Sequence, residues 1–139
     1  MIRPPRLAGM LLALVTTACA SITDQSPTSV DLVGRWHYTA AQTSGNRVTY
    51  DGTLTVTQQD GRTFSGGLDA QAVTAQGAVL RVNGIASGRI VSDGSVDFDL
   101  QYPDDVRRHV GTIVADTLRG SWASADLTLL GSWMAVRIR

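Results

Sequence analysis

An all-β fold, about eight antiparallel strands closing as an up-and-down β-barrel, is what the sequence predicts for residues 32–139. Composition, patterning and turns each predict it. Fifteen Thr and fourteen Val favour pleated strands, because β-branched side chains are stiff at χ1. The chain also lacks Lys and Glu, both good helix formers; its twelve cations are all Arg and its twelve anions all Asp. Apolar and polar residues then alternate repeatedly, the period-two pattern of strands with one wet face. Asp-Gly turns and fourteen glycines punctuate these runs at short, even spacing. A two-sheet β-sandwich is the alternative packing of the same strands.

The elements follow in chain order. Residues 1–18 read as an export signal. Arg3 and Arg6 precede Leu7–Ala18, a run of twelve apolar or small residues. That length suits a signal core of about 7–15 residues and falls short of the roughly 18–20 needed to span a bilayer. Residues 19–31 read as Cys19 followed by a polar tether, "SITDQSPTSVD", with Pro27 and no apolar periodicity. "TTAC" resembles the lipobox of bacterial lipoproteins, although Thr16 replaces the usual aliphatic residue. The resemblance implies that Cys19 receives a diacylglycerol and becomes the mature N-terminus, a membrane anchor. Ala20, rather than Asp, follows it, which in that family permits transfer to the outer membrane. "ACA" before Ser21 also reads as an A-x-A site, and cleavage after Ala20 would release a soluble exported protein.

In the domain, "LVGRWHYTA" sets Leu32, Gly34, Trp36, Tyr38 and Ala40 inward, with His37 outward. "VTYDGTLTV" places Val48, Tyr50, Gly52, Leu54 and Val56 on one face. A three-residue loop, Gln59-Asp60-Gly61, would pair Val56 with Phe64 and Leu54 with Gly66. The same loop at Ser92-Asp93-Gly94, with Gly94 left-handed, pairs Ile90 with Val96, Gly88 with Phe98 and Ala86 with Leu100. Residues 71–83 read as less regular. A turn at Asp116-Thr117 would set Ile113 opposite Gly120 and Gly111 opposite Trp122. The last strand is "LGSWMAVRI", Leu130–Ile138. Small residues opposite large ones imply a filled interior.

"G-x-W" occurs three times, ending at Trp36, Trp122 and Trp133. With Trp36 on the first strand, the pattern resembles the calycins, the lipocalin and avidin group of ligand-binding barrels. The resemblance implies that Trp36 closes one barrel end and that a last-strand cation, Arg137, packs across it. The three tryptophans either plug the core or line a ligand cavity. On the second reading Trp36, Tyr38, Trp122 and Trp133 are the candidate binding residues.

The chemistry-bearing residues are sparse. Without Arg3 and Arg6, ten Arg face twelve Asp, about −2, so no basic footprint for nucleic acid exists. Cys19, lipidated or removed, leaves no thiol for catalysis. His109 is the base of a distant hydrolase reading, but no G-x-S-x-G elbow accompanies it. Asp93, Ser95, Asp97, Asp99 and Asp104 imitate calcium-loop spacing, yet Phe98 stands where that loop needs Gly. "PDDVRRH", residues 103–109, reads as a self-neutralised loop. No cofactor is implied. The expected function is that of a non-enzymatic envelope lipoprotein whose barrel binds a protein partner or supports the envelope. The alternative is a carrier of a small apolar ligand. A continuous cavity of roughly 300 Å³ or more, lined by Trp and Tyr, would reverse that order.

Overall fold

The computed structural model of the chain describes residues 28–139. Cys19, the export signal and the tether up to Pro27 lie outside the described residues. Eight strands follow one another as a closed antiparallel barrel: β1 (Gly34–Gln42), β2 (Val48–Asp60), β3 (Thr63–Thr74), β4 (Val79–Ser92), β5 (Ser95–Gln101), β6 (Val106–Val114), β7 (Thr117–Ser124) and β8 (Leu130–Arg137). β1 closes the barrel by pairing with β8, from Trp36 opposite Arg137 to Gln42 opposite Gly131. A closed sheet leaves no edge strand to pair with another chain. The barrel, not the sandwich, is the arrangement adopted.

Alternation decides what is inside. Trp36, Tyr38, Leu54, Phe98, Leu100, Trp122 and Trp133 are buried, while ion pairs such as Arg81–Asp69 (2.7 Å) and Arg108–Asp97 (2.6 Å) sit on the outer wall. The expected register of β4 with β5 is found: Ile90 faces Val96, Gly88 faces Phe98 and Ala86 faces Leu100. Its cause differs. Ser92 pairs with Ser95 around a two-residue turn, and the extra residue is a bulge at Val91; Gly94 is not left-handed.

Two other hairpins are displaced by two residues from the expected pairing. Val56 faces Gly66 and Leu54 faces Leu68, because the β2–β3 turn is Gly61-Arg62 and Thr57 bulges. Gly61 has φ +56°, which glycine adopts without a Cβ clash at the start of a primed turn. The β6–β7 turn is Ala115-Asp116, so Gly111 faces Gly120 and His109 faces Trp122. A shift of two keeps every side chain on its predicted face. Residues 71–83 are regular strand apart from the turn at 75–78, and the "PDDVRRH" loop ends at Asp105, with Arg107–His109 already in β6.

The two later G-S-W triplets explain each other. β7 and β8 set Gly120 opposite Trp133 and Trp122 opposite Gly131. Each indole therefore covers a position without a side chain. Trp133 donates its Nε1–H to the carbonyls of Ser121 (3.1 Å) and Val110 (3.3 Å).

The barrel has unlike ends. At one pole the lead-in to β1, residues 28–33, is fastened down, including the end of the segment read as tether. Thr28 and Ser29 donate to the Asp93 carboxylate (2.8 and 2.9 Å), which holds that carboxyl below its usual range. Gln59 donates to the Val30 carbonyl and accepts from the Leu32 N–H, both at 2.8 Å. Trp36 donates to the Leu32 carbonyl (2.9 Å), and the Arg137 guanidinium lies 4.2 Å from the Trp36 ring centre. Arg137 also donates to the carbonyls of Asp31 and Val33. Arg137→Ala removes a partly buried cation–π contact, two charge-assisted hydrogen bonds and the ion pair with Asp116, so it should cost about 2 kcal/mol. A urea midpoint that falls with unchanged slope is the expected observation.

Candidate functional site

The opposite pole is open. There the inward residues of β2, β3 and β4 run out into a cavity of about 510 Å³, bounded by Val48, Tyr50, Ala72, Val82, Tyr102 and Arg107, among others. Of the small inward residues of β3 and β4, Ala72 borders the cavity and Gly84 leaves the space that the Tyr102 ring takes. Tyr102 leans over Gly84, where a Cβ would stand 3.1 Å from its ring. Burial pushes the Tyr102 phenol up to about 12, so it stays a neutral hydrogen-bonding group at the rim.

Arg107 is the floor of this cavity. It belongs to the inward parity of β6, shared with His109, Gly111 and Ile113. Its guanidinium lies 4.6 Å from the Trp122 ring centre, 5.0 Å from that of Tyr102 and 5.1 Å from that of Tyr50. Nε donates to the Asp105 carboxylate at 2.8 Å. An arginine so placed stays charged. Three rings and one carboxylate compensate the loss of water around it.

Beneath Arg107 the interior is full. His109 is entirely buried and stacks on Phe98, ring centres 4.8 Å apart. The Arg107 carbonyl lies 3.0 Å from its Nδ1 and can only accept, so Nδ1 carries the proton. Nε2 then accepts from the Tyr38 hydroxyl at 2.9 Å. Burial pushes the His109 pKa down to about 4 and that of Tyr38 well up, so both are neutral at pH 7.

The tryptophan-based candidates lie away from the cavity. Trp36 plugs the closed pole. Tyr38 and Trp133 stack in the core with ring centres 6.5 Å apart, and Trp122 lies behind Arg107. None of the four lines the mouth; Tyr50, Tyr102 and Arg107 do. His109 is sealed off from the mouth by Arg107, so the structure does not offer it as the surface base that the hydrolase reading requires. The calcium spacing is dispersed: Asp93 is bound to the lead-in at the closed pole, Asp97 is paired with Arg108 and Asp104 stands at the mouth.

No known protein family matches the chain, and no curated protein matches it. Solved structures do share its fold. A structure of EF1p2_mFAP2b bound to DFHBI covers 77% of this chain and 94% of its own, with TM-score 0.61 and 16% identity. A redesigned β-barrel, mFAP1, also bound to DFHBI, covers 76% and 94%, with TM-score 0.61 and 17% identity. A fluorescence-activating β-barrel made by de novo design covers 76% and 93%, with TM-score 0.54 and 20% identity. At such identities the likeness is one of fold.

Proposed function

We propose that this barrel is a binding module for a small ligand, that the open mouth is its site, and that lipid on Cys19 holds it in the cell envelope. The observation that carries the first part is the cavity of about 510 Å³ at one pole of an otherwise filled interior. It exceeds the volume at which the carrier reading overtakes the partner-binding one, although tyrosines line it and no tryptophan does. Two barrels of similar fold are bound to a small molecule, DFHBI, which is in keeping with this reading. Binding without catalysis is favoured because the buried base, His109, already gives both ring nitrogens to Tyr38 and the Arg107 carbonyl. The anchor rests on the "TTAC" pattern before Cys19.

Protein purified from its own cells, denatured and extracted, should yield a small molecule by mass spectrometry. Val82→Trp, which fills the mouth, should abolish its recovery. Repeated empty extracts of the unaltered protein would overturn the carrier reading. Cys19→Ser should move the protein out of the membrane fraction and end lipid labelling; attachment that survives the change refutes the anchor.

A further inference from the structure

We infer that the mouth takes an organic anion: an apolar body carrying one carboxylate or similar acid, held by Arg107. This rests on the reading of the mouth as a ligand site.

The two poles are built on one pattern. Each has an inward arginine laid over aromatic rings, Arg137 on Trp36 and Arg107 among Tyr50, Tyr102 and Trp122. A guanidinium carries five N–H donors in a planar fork and cannot lose its proton, so its edges need acceptors. At the closed pole the chain supplies them, the Asp31 and Val33 carbonyls, with Asp116 at 3.5 Å from Nε. At the open pole Asp105 takes the Nε edge, the Tyr50 hydroxyl is a second hydrogen-bond partner of the guanidinium, and the side chain borders the cavity. A ligand acceptor entering the mouth would stand where the lead-in carbonyls stand at the other end.

Three features select an acid over a neutral acceptor. The Arg107 side chain is 15% exposed, so its charge acts in a medium far less screening than water. A planar fork matches a carboxylate with two parallel hydrogen bonds. Val48, Ala72, Leu80 and Val82 suit an apolar body and the Tyr50 and Tyr102 rings flank the fork, while Thr74, Asn83, Arg81 and a second carboxylate, Asp104, stand at the polar rim. Asp105 is the competitor. It binds the same guanidinium from the rim and lowers the attraction for any incoming anion.

Two fluorescent probes share one skeleton and differ in charge: 1-anilinonaphthalene-8-sulfonate and the neutral N-phenyl-1-naphthylamine. The intact protein should bind the sulfonate about tenfold more tightly than the amine at low salt. Arg107→Gln should erase that preference, read as the ratio of the two affinities within the variant. Asp105→Asn, a rim change that leaves the barrel core intact, should raise the sulfonate-over-amine preference several-fold. It therefore reads the charge effect even where Arg107→Gln weakens the fold. Equal affinities for the two probes, or a sulfonate preference that Arg107→Gln retains or Asp105→Asn leaves unmoved, would overturn the inference while keeping the mouth as a binding site. Failure of both probes to bind would overturn the binding-site reading and this inference together.

Discussion

Gly120→Ala should destabilise the barrel by about 3 kcal/mol or more, although it adds one methyl group. A Cβ on Gly120 would run into the Val110 carbonyl oxygen and the Gly111 Cα, both backbone atoms of β6. Neither can swing aside like a side chain. The Trp133 indole lies against the same patch, 2.8 Å from where a Gly111 Cβ would be, and bonds the Val110 and Ser121 carbonyls. The strain therefore reaches the ring that fills the barrel beside β6 and β7. Gly94→Ala is the matched control. Its Cβ would meet nothing within 4 Å and its φ is not left-handed, so the change should stay within about 0.5 kcal/mol. Urea unfolding of the two variants measures the contrast. A loss below about 1 kcal/mol for Gly120→Ala would show that β6 and β7 can separate without harm.

Acidification should act through His109. Burial lowers its folded pKa to about 4 from an ordinary value of 6.5. Between those values the unfolded chain binds a proton that the native barrel excludes, so stability rises with pH there. The His109 contribution is complete above about pH 6.5. It is lost as pH falls towards 4, by about 3 kcal/mol in all. The carboxylates act in a lower window. Asp126 is held down to about 2 by the Ser124 hydroxyl and by Thr128, so its contribution is lost only as pH falls below its ordinary value. His109→Gln keeps a donor and an acceptor but cannot titrate near neutrality. It should flatten the slope between pH 6.5 and 4. A slope equal to that of the unaltered protein would place the acid sensitivity elsewhere.

Faces are legible in the sequence far more than registers are. The rule of alternation survives a slip of two residues, so Leu54, Val56, Phe64 and Leu68 are all inward although their partners differ from those expected. Registers depend on where a turn or bulge takes up one residue. Ala115 shows why that is hard to read: it holds φ +51° where glycine or asparagine would be expected, so "VADT" signals a turn through Asp116 but does not mark Ala115 as its first residue. The mouth is hidden for a different reason. Two arginines and a histidine after two aspartates read as a wet loop, yet the parity that puts Gly111 inward also puts Arg107 and His109 inward. That signal is present in the sequence. Composition masks it, because an inward arginine is rare unless aromatic rings or acids receive it.

The likeness to a barrel made by de novo design has its own meaning. Such a chain has no ancestor in common with this one. What the two share is the fold, and closing a sheet into a barrel links strand tilt, stagger and size whatever the sequence.

The fastening of the lead-in to the closed pole sets where the preceding chain leaves the barrel. Both described ends of the chain are there: Thr28 is bound to Asp93, and Arg139 to Asp116 on the turn before β7. The nine peptide steps from Cys19 to Thr28 reach at most roughly 30 Å. A lipid on Cys19, as proposed, would thus moor the barrel through its sealed base, the pole opposite the mouth.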